Sequence, residues 1–144
     1  MSRELAERLG ERHDHRILLE ARRRAISAVQ DLARRIAPGM TEAEGLDLAQ
    51  QALRAQGFES DWVAPTLRFG TNTLKEYAEP SDPDVALGAD DVWFVDVGPL
   101  WREHECDYAE TFVVGGDPER HWLARDVREV FERPYGIALQ REPR

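Results

Sequence analysis

From Ile17 onward apolar residues recur at helical spacing. Leu18, Ala21, Ala25, Ala28, Val29, Leu32 and Ile36 form one stripe that stops at Pro38-Gly39. Upstream, the chain is highly charged, with little apolar pattern beyond Leu5 and Leu9, so residues 1–16 read as a loose arm. Thr41 followed three residues later by Glu44 is a capping-box signature. It opens a second helix expected to run to about Gln56, with Gly57 suited to the position after its cap. Phe58 to Phe69 reads as extended, and Pro65 demotes its middle to an edge strand or a bulge. Gly70 to Asp84, with Asn72, Pro80, Ser81 and Pro83, reads as a loop. Val92–Val97 and Thr111–Val114 are β-rich runs joined by a Gly98-Pro99 turn and a polar stretch, which predicts an antiparallel pair. Asp117 and Pro118 suit the cap and first position of a third helix. Its stripe of Trp122, Leu123, Val127, Val130 and Phe131 is expected to be core, Pro134 to end it, and residues 135–144 to form an irregular tail. The fold class is therefore α/β, one domain over residues 17–134: a twisted antiparallel sheet with helices on one face.

Composition narrows the setting. The 144 residues are one domain's worth, and 42% hydrophobic with 33% charged residues suits a globular chain. No apolar run approaches a membrane span and the N-terminus lacks a signal-peptide core, so no membrane is expected and the cytoplasm is the expected location. The single cysteine, Cys106, excludes an internal disulfide and a cysteine-rich zinc site, and reads as a packing residue. Net charge is −9, split between +3 over residues 1–39 and −12 over the rest. So acidic a body gives no electrostatic encouragement to nucleic acid, and Arg22-Arg23-Arg24 fans over several faces of its helix.

The chemistry concentrates in the hairpin. Alternation puts Val92, Phe94 and Asp96 on one face of the first strand, and Asp107, Ala109, Thr111 and Val113 on one face of the second. Asp96 and Asp107 then neighbour each other among apolar or small residues. Carboxylates so placed are costly and repel each other, unless a divalent cation takes their oxygens. From spacing alone a second reading stands beside this: Asp96 accepts N–H bonds at a strand end while Asp107 faces water.

The segments V-W-F-V-D-V-G and D-Y-A-E-T-F-V-V-G resemble the first two metal-ligand strands of the methionine aminopeptidase, prolidase and creatinase family, the pita-bread metallohydrolases. That family reads I-D-x-G and then D-x-x-R-T-F-x-V-G, its aspartates eleven apart, as Asp96 and Asp107 are here. Pro38–Glu42, Phe69–Thr73 and the L-G-A-D-D before the strand agree in order and spacing. The resemblance runs from about Ala21 to about Phe131, and implies the front half of a domain whose second half is missing from this chain.

What it implies is a dinuclear centre with five ligands: two aspartates, then a histidine and two glutamates from the second half. Asp96 would chelate one metal and Asp107 bridge both. The metal would be Mn, Co, Zn or Fe, weakly held or absent with only two of the five ligands present. The complete enzyme would hydrolyse a peptide or a small amide, and the isolated chain would be inactive, with self-association or a missing C-terminal half covering its exposed apolar surface. Two departures point to an alternative, a catalytically inactive module that binds protein or peptide. The region where the family carries a substrate-contacting histidine reads Lys75-Glu76-Tyr77-Ala78-Glu79, and Glu110 replaces the arginine of R-T-F, inverting a charge expected near the metal. His104, in the hairpin connection, reads as a solvent-facing loop residue, and Glu103, Glu105 and Glu110 as surface charges.

Overall fold

The computed structural model describes residues 14–139; the arm over residues 1–13, with His13, and residues 140–144 lie outside the described residues. Helix α1 (His15–Arg35) starts at Asp14, whose carboxylate accepts from the Arg16 N–H, and buries Ala21, Ala25, Ala28, Val29 and Leu32. Small residues along that stripe let the helix sit close to the sheet. Helix α2 (Glu42–Ala55) carries the expected capping box, the Thr41 hydroxyl accepting from the Glu44 N–H while the Glu44 carboxylate accepts from the Thr41 N–H. Gly45 seats α2 on the sheet, because a Cβ there would meet Leu67 at 3.0 Å.

Strand β2 (Asp91–Trp101) is central. Strand β1 (Ser60–Phe69) pairs antiparallel along one edge. On the other, β4 (Tyr108–Val114) pairs with Asp91–Val97 and the short β3 (His104–Glu105) with Leu100–Trp101. β2 therefore runs straight through Gly98-Pro99, where a turn was expected. The reversal falls instead at Arg102 and Glu103, both in the left-handed region at φ 49° and 65°. Pro99 fits inside the strand because its carbonyl still accepts from the Cys106 N–H.

Alternation divides the sheet into two faces. Trp93, Val95 and Val97 point into the core with Leu67 and Phe69, beneath the buried stripes of α1 and α2. Trp93 anchors this layer, stacked on Phe112 at 4.4 Å and edge-on to Phe69 at 6.2 Å. Phe94 and Asp96 point the other way, onto a face that neither helix covers.

Helix α3 (Pro118–Leu139) follows Asp117, whose carboxylate accepts from the Glu119 N–H. Two sequence expectations fail here. The helix passes through Pro134, where losing one backbone donor does not stop it. Its stripe is also not core, since Trp122, Leu123, Val127, Val130 and Phe131 are each at least half exposed. The helix touches β4 and is held mainly by two arginines, Arg128 on Glu110 and Arg120 on Asp91.

Candidate metal centre

Asp96 lies at the middle of β2 on the open face, paired with Thr66 of β1 and Ala109 of β4. Asp107 is exposed, in the two-residue link just before β4. The last rung of the ladder joins Val97 to Tyr108, so the next places Asp107 across from Gly98, diagonal to Asp96 on the same face. The electrostatics agree with this placement: burial pushes the Asp96 carboxyl up from its usual value, and the charge of Asp107 pushes it further the same way. The two expected ligands are brought together. Such a pair fits a hard divalent cation, whose charge offsets both the desolvation and the repulsion. Among the described residues no group of three or more His, Cys, Asp or Glu side chains is placed to hold an ion, so the two aspartates stand there as a pair.

The surroundings correct three expectations. His104 is not solvent-facing but buried: its Nε2 accepts from the Asp14 N–H at 2.9 Å, and its Nδ1 lies 2.8 Å from the Arg102 carbonyl. With Nε2 accepting, Nδ1 carries the proton, and the ring ties the start of α1 to the hairpin. Glu110 is neither a surface charge nor on the aspartate face. It alternates to the helix side, where its side chain is only 9% exposed and accepts from Tyr108 Oη, Gln30 Nε2 and Arg128 Nη2. Burial first, then the bond to Glu110, pushes the Tyr108 phenol up to about 12. Cys106 is in the core, its thiol pushed up by burial and then by the Asp107 charge, which suits a packing role. Glu103 and Glu105 are exposed, as expected.

Sequence reasoning passed over Arg68. It stands on the open face two residues from Thr66, yet it is only 5% exposed. Its guanidinium donates to the carbonyls of Asn72, Lys75, Tyr77 and Glu79. Asn72 adds a second anchor, donating to Glu42 Oε1 and the Asp82 carbonyl and accepting from the Asp82 N–H. These bonds fix residues 72–82 as an ordered strap beside the aspartate face. A lone arginine between Leu67 and Phe69 in a predicted strand, just before a proline-containing loop, was the available signal.

Solved structures that share this architecture are aminopeptidases and prolidases. A methionine aminopeptidase from Thermotoga maritima superposes with a TM-score of 0.71 at 20% identity, over 88% of this chain and 53% of that one. A prolidase from Pyrococcus horikoshii gives 0.70 at 21%, over 89% and 35%. An X-Pro aminopeptidase from Thermotoga maritima gives 0.69 at 19%, over 81% and 33%. The chain thus spans about a third to a half of their length, and the likeness identifies a pita-bread metallopeptidase fold. Residues 16–137 match the profile of metallopeptidase family M24, and the chain belongs to that family. No curated protein matches the sequence.

Proposed function

We propose that this chain carries the first metal-ligand half of a metal-dependent hydrolase that cleaves peptide or small amide bonds. Asp96 and Asp107 are the ligands for a divalent cation, Mn, Co, Zn or Fe. The observation that carries this reading is the β2–β4 register, which sets Asp107 diagonal to Asp96 on a face the helices leave open, where burial and the Asp107 charge both push the Asp96 carboxyl up. When bound, such a cation polarises a carbonyl and acidifies water. The chain's own residues do the rest. Asp96 and Asp107 orient the ion, while Phe94, Thr66 and Ala109 line the face around it. The strap held by Arg68 and Asn72 supplies one wall, with Tyr77 at its exposed outer side.

A second reading, a peptide-binding module without turnover, is favoured by one feature: the strap reads Lys75-Glu76-Tyr77-Ala78-Glu79 and offers no histidine. Calorimetry with Mn²⁺ tests the first reading. Weak uptake by the wild-type chain is expected, lost in both Asp96→Ala and Asp107→Ala. Uptake unchanged in both variants overturns the assignment.

A further inference from the structure

Between Asp61 and Thr66 the β1–β2 register shifts twice, once on each side of Val63. Irregularities of this kind re-aim side chains, and they recur beside functional sites. Here they bring Trp62 over Gly98. A Cβ at Gly98 would lie 2.3 Å from Val63 Cγ1, 2.9 Å from Trp62 Nε1 and 3.1 Å from its Cε2. Gly98 is two residues from Asp96 in β2, so the space above it belongs to the aspartate face. The absence of a side chain at this position lets both Val63 and the indole edge lie there.

The indole N–H donates to the Cys106 carbonyl at 2.8 Å. The Cys106 N–H in turn donates to the Pro99 carbonyl at 3.0 Å. Cys106 and Asp107 belong to neither β3 nor β4, so no ladder bond fixes the peptide that joins them. Its carbonyl is held by Trp62, and the peptide just before it by Pro99 of β2. The ring itself remains 46% exposed, although it is the largest apolar side chain on the strand.

We propose that Trp62 is the positioning residue of the aspartate pair: its N–H holds the Cys106 carbonyl and so sets where Asp107 stands against Asp96, while its half-exposed ring forms the wall of the site above Gly98. The proposal rests on the metal-binding reading of Asp96 and Asp107 and assigns that site a residue from outside the hairpin. Losing a partner that orients a ligand typically weakens metal affinity by about 10–100-fold.

The test uses the chain as it stands, with Mn²⁺ and Co²⁺ alone as probes. Trp62→Phe keeps an aromatic ring and removes the N–H. Its Mn²⁺ affinity should fall by about ten-fold or more, with far-UV circular dichroism and melting temperature close to wild type. Co²⁺ should quench part of the tryptophan emission of the wild-type chain. That quenched part should be missing from Trp62→Phe, where Trp93, Trp101 and Trp122 still emit, and from Asp96→Asn, which lacks the ligand. One outcome needs no variant: wild-type emission that Co²⁺ leaves unquenched would put no tryptophan beside the ion, and overturns the proposal even if Trp62→Phe is unstable. Wild-type Mn²⁺ affinity in Trp62→Phe, or Co²⁺ quenching that persists in it, overturns the role of Trp62. If the wild-type chain shows no binding that depends on Asp96, the site reading itself fails and the proposal with it.

Discussion

Asp96 is held in a conflict that the fold does not resolve by itself. Burial and the Asp107 charge both raise its carboxyl above the ordinary value of 3.8. The folded chain therefore binds this proton more tightly than the unfolded chain does, and stability falls as pH rises through the window above 3.8. Without metal at neutral pH the pair is a liability; under the proposed function a bound cation would offset it. Asp96→Asn removes the charge and keeps the shape. It should raise the metal-free melting temperature at pH 7, give no gain near pH 3, and abolish any rise on adding Mn²⁺. A metal-free melting temperature that is lower in Asp96→Asn at pH 7 would show that the carboxylate has a stabilising partner and is not a strained ligand.

The elements explain why part of the site was legible in the sequence and part was not. Strict alternation along β2 and β4 was enough to put Asp96 and Asp107 on one face. The same alternation sends Glu110 to the other face, but its replacing the arginine of the family's R-T-F segment suggested a charge beside the metal. Its actual work is to join three elements, α1 through Gln30, β4 through Tyr108 and α3 through Arg128. Restoring the family arginine with Glu110→Arg would confront Arg128 with a second cation and strand the Tyr108 and Gln30 donors. Chemical denaturation should then show a loss of about 1–3 kcal/mol, with faster amide exchange in α3 and unchanged Mn²⁺ binding. An altered Mn²⁺ affinity would put Glu110 back beside the metal. Trp62 was not legible at all, because the register shifts on either side of Val63 break the period on which such a reading depends. His104 was misread for a related reason: its partner, Asp14, lies ninety residues away.

At the scale of the whole molecule the two helix-backed layers are complete and the third helix is not. Trp93, Val95 and Val97 are sealed under α1 and α2, whereas α3 shows Trp122, Leu123, Val127 and Val130 to solvent. The core was readable from periodicity alone. The exposure of α3 was not, because a helical stripe reports that a face wants cover and says nothing of whether cover is present. Turnover needs more preorganised groups than one carboxylate pair, and losing a single stabilising donor typically costs about 10²–10³ in rate. The chain by itself should therefore hydrolyse dipeptides and Xaa-Pro peptides no faster than its Asp96→Ala variant when both are supplied with metal. Metal-dependent turnover well above that blank would mean that other side chains complete the centre.

The central claim, that Asp96 and Asp107 form one cation site on the open face, is tested most directly by Mn²⁺ broadening of amide resonances. Paramagnetic broadening detects weak binding and locates it. Substoichiometric Mn²⁺ should broaden Asp96, Gly98, Asp107 and Ala109 first, with Thr66 across the strand, and the effect should vanish in Asp96→Asn. Broadening centred on another acidic segment, or unchanged in Asp96→Asn, would contradict the account.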